Sequence, residues 1–420
     1  MNTTPKSNRL HIALFGRTNV GKSSFLNYLV GQDISITSDI AGTTTDVVEK
    51  PMELLPLGPV LFLDTAGLGD TTALSDKRLE KTKKIFERND VILLVVEAGV
   101  WTEYEESVLT RAQEQKVPLA VVINKADIKY PGEEFLSVIR DKAGHYLICN
   151  STDFSGREKS LEELKRTLKV IIPPELLRDP FLISDLLKAG QTAVLVVPID
   201  LEAPKGRLIL PQVQTIRDIL DSDAIAVIAK ERELPAVLND CKTKPAIVVC
   251  DSQAVLKVAA DTPLDIPMTT FSILFSRLKG DIATLARGAA AIDRLTPQSR
   301  VLIAEACTHH PIGDDIGRVK IPRWLRQYLG FSPEINVFAG RDYPADLDRY
   351  DLVIHCGACM FNRRQMITRL DESRRHQVPI TNYGICISLL QGVIERTLAP
   401  FPQALLAYQQ EIKKKGVPHA

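Results

Sequence analysis

Two short clusters of cysteine and histidine residues in the C-terminal third of the chain have the composition of a metal site. Cys307 and His309 form the first cluster, and His355, Cys356 and Cys359 form the second. Thiolate and imidazole groups suit both Zn²⁺ and iron–sulfur clusters, so the softness of the donors does not choose between them. A closed zinc site would favour two C-x-x-C pairs, and the chain offers one. Three cysteines suffice to hold three irons of a [4Fe–4S] cluster, and a metal-free redox pair of thiols is the third interpretation.

A second set of residues, near the N-terminus, has the pattern of a phosphate-binding loop. The apolar segment Leu10–Phe15 predicts a strand that runs directly into a complete G-x-x-x-x-G-K-S loop at 16–23, and a helical pattern follows at Phe25–Leu29. This strand–loop–helix order is the context that the motif requires, because the glycines let backbone amides close around the phosphates. Lys22 is expected to reach the outer phosphates, and Ser23 has the position of a Mg²⁺ ligand.

Two further motifs have the positions of loops that sense the bound nucleotide. A predicted strand ends in D-T-A-G, where Asp64 can meet Mg²⁺ through water and the Gly67 amide can sense the γ-phosphate. The A-G-T-T-T-D segment before it has the position of the first switch loop. We expect Thr44 to be the Mg²⁺-sensing residue there, with Thr43 and Thr45 as close competitors.

A fourth motif selects the base. The predicted strand Leu119–Ile123 ends in N-K-A-D, and the carboxylate of Asp127 can accept both the N1–H and the N2–H₂ donors of guanine. Adenine lacks this pair and would leave the carboxylate unpaired, so the motif predicts GTP as the nucleotide. The N-S-T segment at 150–152 would be a fifth, degenerate guanine-contacting loop. The residues expected to bind the nucleotide are Asn19, Gly21, Lys22, Ser23, Ser24, Asn124, Lys125 and Asp127, and those expected to act in hydrolysis are Lys22, Thr44, Asp64 and Gly67.

These loops resemble those of the tRNA-modification and ribosome-assembly GTPases more than those of Ras. Leu68 follows Gly67, where Ras-like proteins place the glutamine that orients the attacking water. Asn19 lies where some members of this subgroup recruit a potassium ion that replaces an arginine finger. The alternative is that Asn19 only caps the loop. The resemblance implies slow intrinsic GTP hydrolysis that K⁺ accelerates.

The elements that must position these residues alternate between strands and helices. This alternation predicts an α/β fold, with a doubly wound, mostly parallel sheet in the nucleotide-binding domain. The middle of the chain has the pattern of a smaller α/β domain without recognisable chemistry, which favours packing against another domain or another subunit.

The last third of the chain must bring the two Cys/His clusters together. We expect a long helix at Phe271–Leu295, followed by two parallel strands, Val301–Ala306 and Asp351–Ile354, each of which leads into one cluster. The 45 residues between His309 and His355 suffice for a crossover connection. The clusters are therefore expected to meet at the carboxyl edge of one sheet, where open α/β sheets bind their ligands.

Composition excludes several other classes of protein. Lys+Arg and Asp+Glu both number 52, and this balance argues against bulk binding of nucleic acid or of a membrane surface. The sequence has no signal-peptide pattern and no apolar run long enough to span a bilayer, so we expect a cytoplasmic protein. Seven cysteines, an odd number in a chain of this length, do not indicate a secreted disulfide framework.

The order of these motifs resembles that of the [FeFe]-hydrogenase maturation GTPases of the HydF family. The resemblance runs along the whole chain, and the pattern C-x-H-x45-H-C-x-x-C joined to a GTPase is highly specific. It implies three domains: a P-loop GTPase domain at 1–172, a small α/β dimerisation domain at 173–264 and an α/β iron–sulfur cluster-binding domain at 265–420.

The same resemblance implies what the metal site holds and what it serves. Cys307, Cys356 and Cys359 would ligate a [4Fe–4S] cluster. The fourth ligand varies within the family, and His309 and His355 are candidates either for that position or for nearby hydrogen bonds. The chain would act as a scaffold or carrier for the transient diiron precursor of the hydrogenase active site. Its partners would be the two radical-SAM maturases that build the precursor, the apo-hydrogenase that receives it, and a second copy of the chain in a homodimer.

Two rival functions stay open from the sequence. The first is a tRNA-modification or ribosome-assembly GTPase with a Zn-binding C-terminal domain, against which zero net charge and the lack of a recognisable RNA-binding module weigh. The second is a redox sensor that controls a GTP switch through Cys356 and Cys359.

Overall fold

The computed structural model of the chain describes residues 4–31, 48–65, 85–177, 181–198, 208–306, 315–340, 343–344 and 346–414. The chain divides into two compact units, Met1–Asp179 and Pro180–Ala420. None of the described helices combines the length and the hydrophobicity that a membrane span requires.

The first unit contains a six-stranded sheet in the order β2-β3-β1-β4-β5-β6. Among these described strands, β2 runs antiparallel to its neighbour and the remaining pairs are parallel. The strands are β1 (Leu10–Phe15), β2 (Val48–Glu53), β3 (Pro59–Asp64), β4 (Val91–Glu97), β5 (Leu119–Asn124) and β6 (Tyr146–Ile148). The described helices are α1 (Lys22–Val30), α2 (Glu103–Glu114), α3 (Glu133–Ala143), α4 (Arg157–Ile171) and α5 (Pro174–Leu177).

Both faces of this sheet are buried. In β1, Ile12 and Leu14 belong to one hydrophobic cluster, whereas Ala13 and Phe15 belong to another. Successive side chains of a strand point to opposite faces, so the two clusters lie on the two sides of the sheet. This arrangement explains why β1, β4 and β5 are almost uninterrupted apolar runs. The predicted doubly wound, mostly parallel sheet is confirmed.

The second unit contains two four-stranded sheets in which all neighbouring described strands are parallel. The first sheet comprises β7 (Thr192–Val196), β8 (Ile225–Ala229), β9 (Ile247–Cys250) and β10 (Met268–Thr270). The second comprises β11 (Arg300–Ala304), β12 (Glu334–Phe338), β13 (Leu352–His355) and β14 (Ile380–Asn382). The α-helices are α6 (Leu210–Asp221), α7 (Leu234–Asp240), α8 (Val255–Asp261), α9 (Phe271–Lys279), α10 (Ile282–Ala289), α11 (Ile321–Leu329), α12 (Arg363–Arg375), α13 (Tyr383–Leu390), α14 (Ile394–Leu398) and α15 (Pro402–Lys413).

The two sheets of the second unit have the same topology. In each, the first strand lies between the second and the third, and the fourth forms the edge beside the third. In each, a helix also starts directly after the fourth strand, capped by the side chain of Thr270 in one case and of Asn382 in the other. The segments 267–282 and 379–394 share seven identical residues at the same relative positions. This internal repeat was not predicted from the sequence.

A single hydrophobic core joins the two sheets, and it extends from Leu182 to Ile412. The N-terminal ends of α9 and α13 meet within this unit, where Asn382 Nδ2 donates to the Ser272 carbonyl at 2.9 Å and the Gly384 amide donates to Ser272 Oγ at 3.1 Å. A side chain at position 384 would collide there, because an added Cβ would lie 2.8 Å from the Ser272 Cβ.

The prediction of one long helix in this unit was wrong, and the predicted domain boundary stays untested. The single helix expected at Phe271–Leu295 is broken, because α9 ends before Gly280 and Asp281 caps α10 through the amides of Ala283 and Thr284. The boundary predicted between residues 264 and 265 would separate β10 from the sheet to which it is hydrogen-bonded. The division into domains stays a proposal.

Candidate functional site

The phosphate-binding loop lies between β1 and α1, in the strand–loop–helix order that its sequence predicted. Gly21 precedes α1 in the left-handed conformation, with φ +92°, and an added Cβ would lie 2.4 Å from Asn124 Nδ2, so the position requires glycine. Lys22 is buried, and its Nζ donates to the carbonyls of Gly16 at 2.5 Å and Arg17 at 2.7 Å. These bonds hold the ammonium group inside the loop.

Ser23, the predicted Mg²⁺ ligand, is in contact with Asp64, which is expected to meet Mg²⁺ through water. Ser23 Oγ donates to Asp64 Oδ2 at 2.7 Å, and Asp64 is buried at the end of β3. A hydroxyl and a carboxylate at this separation can share one hydrated cation, as Mg²⁺ sites of P-loop proteins require.

Asn124 connects three loops of the nucleotide site. Its Nδ2 donates to the Val20 carbonyl at 3.1 Å, and its Oδ1 accepts from the Ser151 amide at 3.2 Å. The segment 150–152, whose motif is degenerate, therefore lies beside the base-recognition motif. Lys125 has φ +59° and pairs with Glu97, while Asp127 is exposed and open to a base.

Sequence reasoning missed a buried ion pair beneath the phosphate loop. Arg17 Nε donates at 2.8 Å to Glu105 Oε1, and the Glu105 side chain is fully buried. Glu105 also completes the capping box of α2, accepting from the Thr102 amide at 2.8 Å. The T-x-x-E capping signal was readable in the sequence, but its pairing with a residue in the phosphate loop was not.

Several predicted site residues lie outside the described residues. They are Thr43, Thr44, Thr45, Gly67, Leu68, Cys307 and His309. Their roles stay predictions.

The second candidate site lies at the carboxyl edge of the sheet that contains β11 and β13. These strands are parallel neighbours, and Ala304 is paired with His355. The Ala306 amide donates to Cys356 Sγ at 3.1 Å, which places the residue before Cys307 against Cys356. The expected parallel arrangement of the two strands is confirmed.

The environment of Cys356 controls its ionisation. Burial raises the pKa of the Cys356 thiol to about 11, although the amides of Ala306 and Ala358 favour the thiolate. A metal cation would reverse the effect of burial, because a coordinating thiol is deprotonated by the ion. Two N–H···S hydrogen bonds to a buried sulfur fit a metal-bound thiolate.

Cys359 lies in a tight loop between β13 and α12. Ala358 has φ +53°, and its carbonyl accepts from the Phe361 amide at 3.0 Å. The Asn362 side chain caps the helix that follows, accepting from the Gln365 amide, and α12 begins at Arg363. Cys359 is half-buried at this turn.

His355 is fully buried, and both of its ring nitrogens have protein partners. Nδ1 lies 2.8 Å from the Cys356 carbonyl oxygen, and Nε2 lies 2.7 Å from Nη1 of Arg369. Burial, together with the charge of Arg369, lowers the pKa of His355 to about 3. To ligate a metal, His355 would have to give up one of these bonds.

Within the described residues, no group of three or more His, Cys, Asp or Glu side chains is arranged to hold a metal ion. Two of the five predicted donors, Cys307 and His309, lie outside those residues. Two cysteines, Cys356 and Cys359, lie in the described loop after β13, and thiolates are the donors that iron–sulfur clusters and zinc both accept.

Three family models match the chain. The model of the 50S ribosome-binding GTPase matches residues 11–125. The models of the Hydrogen maturase F dimerization domain and the Hydrogen maturase F tetramerization domain match residues 182–280 and 283–400. The two Hydrogen maturase F models together span more than half of the chain. The chain belongs to the Hydrogen maturase F family. Its architecture is a P-loop GTPase domain followed by the dimerization and tetramerization domains of that family.

Curated relatives match only part of the chain. GTPase Der of a Nitratiruptor species is 38% identical over 143 residues, which are 33% of this chain and 30% of that protein. The tRNA modification GTPase MnmE of Prochlorococcus marinus is 35% identical over 187 residues, covering 38% of this chain and 40% of that protein. The chain thus spans less than half the length of these relatives. Among solved structures, the G domain of the T. maritima FeoB iron transporter matches 39% of this chain and 99% of its own, at 21% identity and a TM-score of 0.31.

Proposed function

We propose that this chain is a cytoplasmic GTPase that serves as scaffold and carrier in the maturation of [FeFe]-hydrogenase. It would receive the two-iron precursor of the hydrogenase active site from the two radical-SAM maturases and deliver it to the apo-hydrogenase. Family membership supports the maturation role. The hydrogen bond from the Ala306 amide to Cys356 Sγ is the structural observation that supports the metal site, because it brings the residue before Cys307 into contact with the second half of the Cys/His pattern.

The nucleotide site would bind GTP with Mg²⁺. Asp127 would accept from the guanine edge, Lys22 would contact the outer phosphates, and Ser23 with Asp64 would hold the cation. Thr44 and the Gly67 amide would respond to the γ-phosphate. In this proposal GTP hydrolysis changes which partner is bound rather than driving the chemistry of the iron precursor.

Cys307, Cys356 and Cys359 would hold a [4Fe–4S] cluster, leaving its fourth iron open to exchangeable ligands. The cluster supplies an iron that can bind and release a small inorganic fragment. The described residues prepare the site for it. The amides of Ala306 and Ala358 donate to the sulfur of Cys356, which is half-buried.

The test is anaerobic purification after co-expression with the two maturases, followed by activation of apo-hydrogenase. We expect a brown protein with absorption near ~400 nm, a reduced-state EPR signal typical of protein-bound iron–sulfur clusters, and activation of the hydrogenase. Cys356→Ser and Cys359→Ser should lose the cluster and the activation. Cys241→Ser is the matched control and should retain both. Cys241 is a half-buried free cysteine that lies between α7 and β9, outside the two Cys/His clusters. An intact cluster without any activation would contradict the carrier role.

A second candidate is a tRNA-modification or ribosome-assembly GTPase with a zinc site. The names of the partial relatives and of the model that matches residues 11–125 favour it. Stoichiometric zinc in the anaerobically purified protein, with no iron or sulfide, would support this function over ours. Reversible oxidation of Cys356 and Cys359 without any metal would instead support a redox sensor.

A further inference from the structure

A buried arginine lies against the second Cys/His cluster. Arg369, on α12, is 7% exposed, and its Nη1 lies 2.7 Å from Nε2 of His355. Its Nη2 donates to the Gly340 carbonyl at 2.9 Å. The guanidinium also packs against the rings of Tyr343 and Phe361, with its central carbon 4.5 Å from each ring centroid. Two aromatic contacts and two hydrogen bonds fix its orientation.

The contact between Arg369 and His355 determines where the imidazole proton lies. A guanidinium stays protonated in proteins and has no acceptor, so Arg369 must donate and His355 Nε2 must accept with its lone pair. The imidazole is then neutral, with its hydrogen on Nδ1. That hydrogen points to the Cys356 carbonyl oxygen, 2.8 Å from the ring nitrogen. Neither nitrogen has a lone pair left for a metal.

We propose that Arg369 is a positioning residue of the cluster site, which holds His355 as a neutral anchor of the Cys356 backbone and keeps it out of the metal's coordination sphere. This inference rests on the function proposed above. Histidines next to metal sites commonly act through hydrogen bonds of this kind. The guanidinium also places a buried positive charge beside the cysteine loop, and such a charge stabilises thiolates and the more reduced state of an iron–sulfur cluster.

The first test needs no cluster. In the metal-free protein labelled with ¹⁵N-histidine, we expect His355 to show a protonated Nδ1 and an Nε2 that accepts a hydrogen bond, with its resonances assigned by their loss in His355→Gln. A protonated Nε2 in the wild-type protein would overturn the inference. If His355→Gln fails to fold, through-bond correlation of the ring nitrogens with the His355 backbone assigns the same resonances in the wild-type protein, and the proton position is still read there.

The second test uses the reconstituted, reduced protein. Pulsed EPR should give the same ¹⁴N couplings in the wild type and in His355→Gln, because His355 is not a ligand of the cluster. Arg369→Met should shift the cluster midpoint potential to more negative values. Arg369→Lys keeps the positive charge and should leave the potential close to the wild-type value. Arg375→Met is the matched control on the same helix, since Arg375 has a 67% exposed side chain paired with Glu372, and it should leave the potential unchanged.

The outcomes separate this inference from the function on which it rests. A strong ¹⁴N coupling lost in His355→Gln would identify His355 as a ligand and overturn the inference. Identical potentials in the wild type, Arg369→Met and Arg369→Lys would show that Arg369 only packs. A wild-type protein that assembles no cluster would contradict the proposed function, while the proton position of His355 would still be measured.

Discussion

At the scale of single residues, Asn124 holds the loops of the nucleotide site together, although its motif predicted it as a guanine-binding residue. Asn124 was expected from the N-K-A-D pattern, and the structure shows it bonded to both Val20 and Ser151. It therefore fixes the base-recognition loop relative to the phosphate loop. Loss of either bond would leave a buried amide group unsatisfied, which costs about 1–3 kcal/mol.

Asn19 is the residue on which the proposed potassium dependence rests. It is exposed in the phosphate loop, and its φ of +65° is a conformation that asparagine tolerates better than most residues. We expect K⁺ to raise GTP turnover several-fold over Na⁺, and Asn19→Ala to remove most of that difference. Steady-state hydrolysis in matched KCl and NaCl buffers measures both. Equal wild-type rates in the two salts would refute the role of K⁺.

His11 predicts how the stability of the first unit depends on pH. It is 5% exposed, its Nε2 lies 2.9 Å from the Lys6 carbonyl, and burial lowers its pKa to about 4 from 6.5. Above pH 6.5 the ring is neutral in both the folded and the unfolded chain, so its contribution does not change. As the pH falls from 6.5 to about 4, the unfolded chain gains a proton that the folded chain excludes. The free energy of unfolding therefore falls by up to about 1.4 kcal/mol per pH unit.

Calorimetry between about pH 7 and about pH 5 would measure this effect, since the window lies around the unfolded pKa of histidine. The melting temperature of the first unit should fall less steeply in His11→Gln than in the wild type, because glutamine carries no titrating ring and can still donate to Lys6. Parallel curves for the two proteins would contradict the prediction.

At the scale of elements, the edge strand β8 is suited to pairing with a second copy. Among the described strands, β8 has β7 as its one neighbour and forms the edge of its sheet. The side chains of Ile225 and Ile228 on this strand are 50% and 48% exposed. Edge strands with exposed apolar side chains readily pair with another strand. The corresponding edge strand β12 instead begins with Glu334, which pairs with Arg300. Since β8 lies inside the segment that matches the dimerization domain, we propose that two copies pair there around a two-fold axis.

Ile228→Lys should break this dimer. A lysine would place two like charges near each other across the two-fold axis and would lose the apolar burial, so we expect the dissociation constant to rise at least about ten-fold, an effect of about 1.4 kcal/mol. Sedimentation velocity over a concentration series measures it. Ile128→Lys is the control, since Ile128 is 77% exposed in the first unit, and it should leave the association unchanged.

At the scale of the whole molecule, the two units should unfold in separate steps, and the second should unfold as one body. Its two sheets share a continuous core, and at Gly288 of α10 an added Cβ would lie 1.9 Å from the Ile380 carbonyl oxygen of β14. Backbone cannot move aside as a flexible side chain can, so overpacking here should cost about 1–3 kcal/mol or more.

Gly288→Ala should therefore lower the midpoint temperature of one calorimetric transition and leave that of the other unchanged. GDP identifies the transitions, because a ligand stabilises only the unit that binds it. We expect the GDP-insensitive transition to shift to lower temperature. Leu264→Ala, at a side chain of the second unit that is 90% exposed, is the control and should leave both transitions within about 0.5 kcal/mol of the wild type. Unfolding of the second unit in two separate steps would contradict the shared core.

Local signals in the sequence were sufficient to predict most of the helices and strands. They also predicted those parts of each site that come from one short segment of the chain. The phosphate loop was predictable because its glycines, lysine and serine act within one turn of chain. The break at Gly280 and Asp281 is also encoded locally, since glycine ends helices and aspartate starts them. The apolar periodicity continues across the break, however, and predicts a single helix.

The sequence alone determined the GTPase motifs, the α/β class, and two Cys/His clusters that follow parallel strands. Tertiary structure decided which distant groups meet: Arg17 with Glu105, Ala306 with Cys356, and Arg369 with His355. The physical reason is that a motif encodes chemistry over a few neighbouring residues. A buried charge or ring is satisfied by whichever group the packing of strands and helices brings within hydrogen-bonding distance.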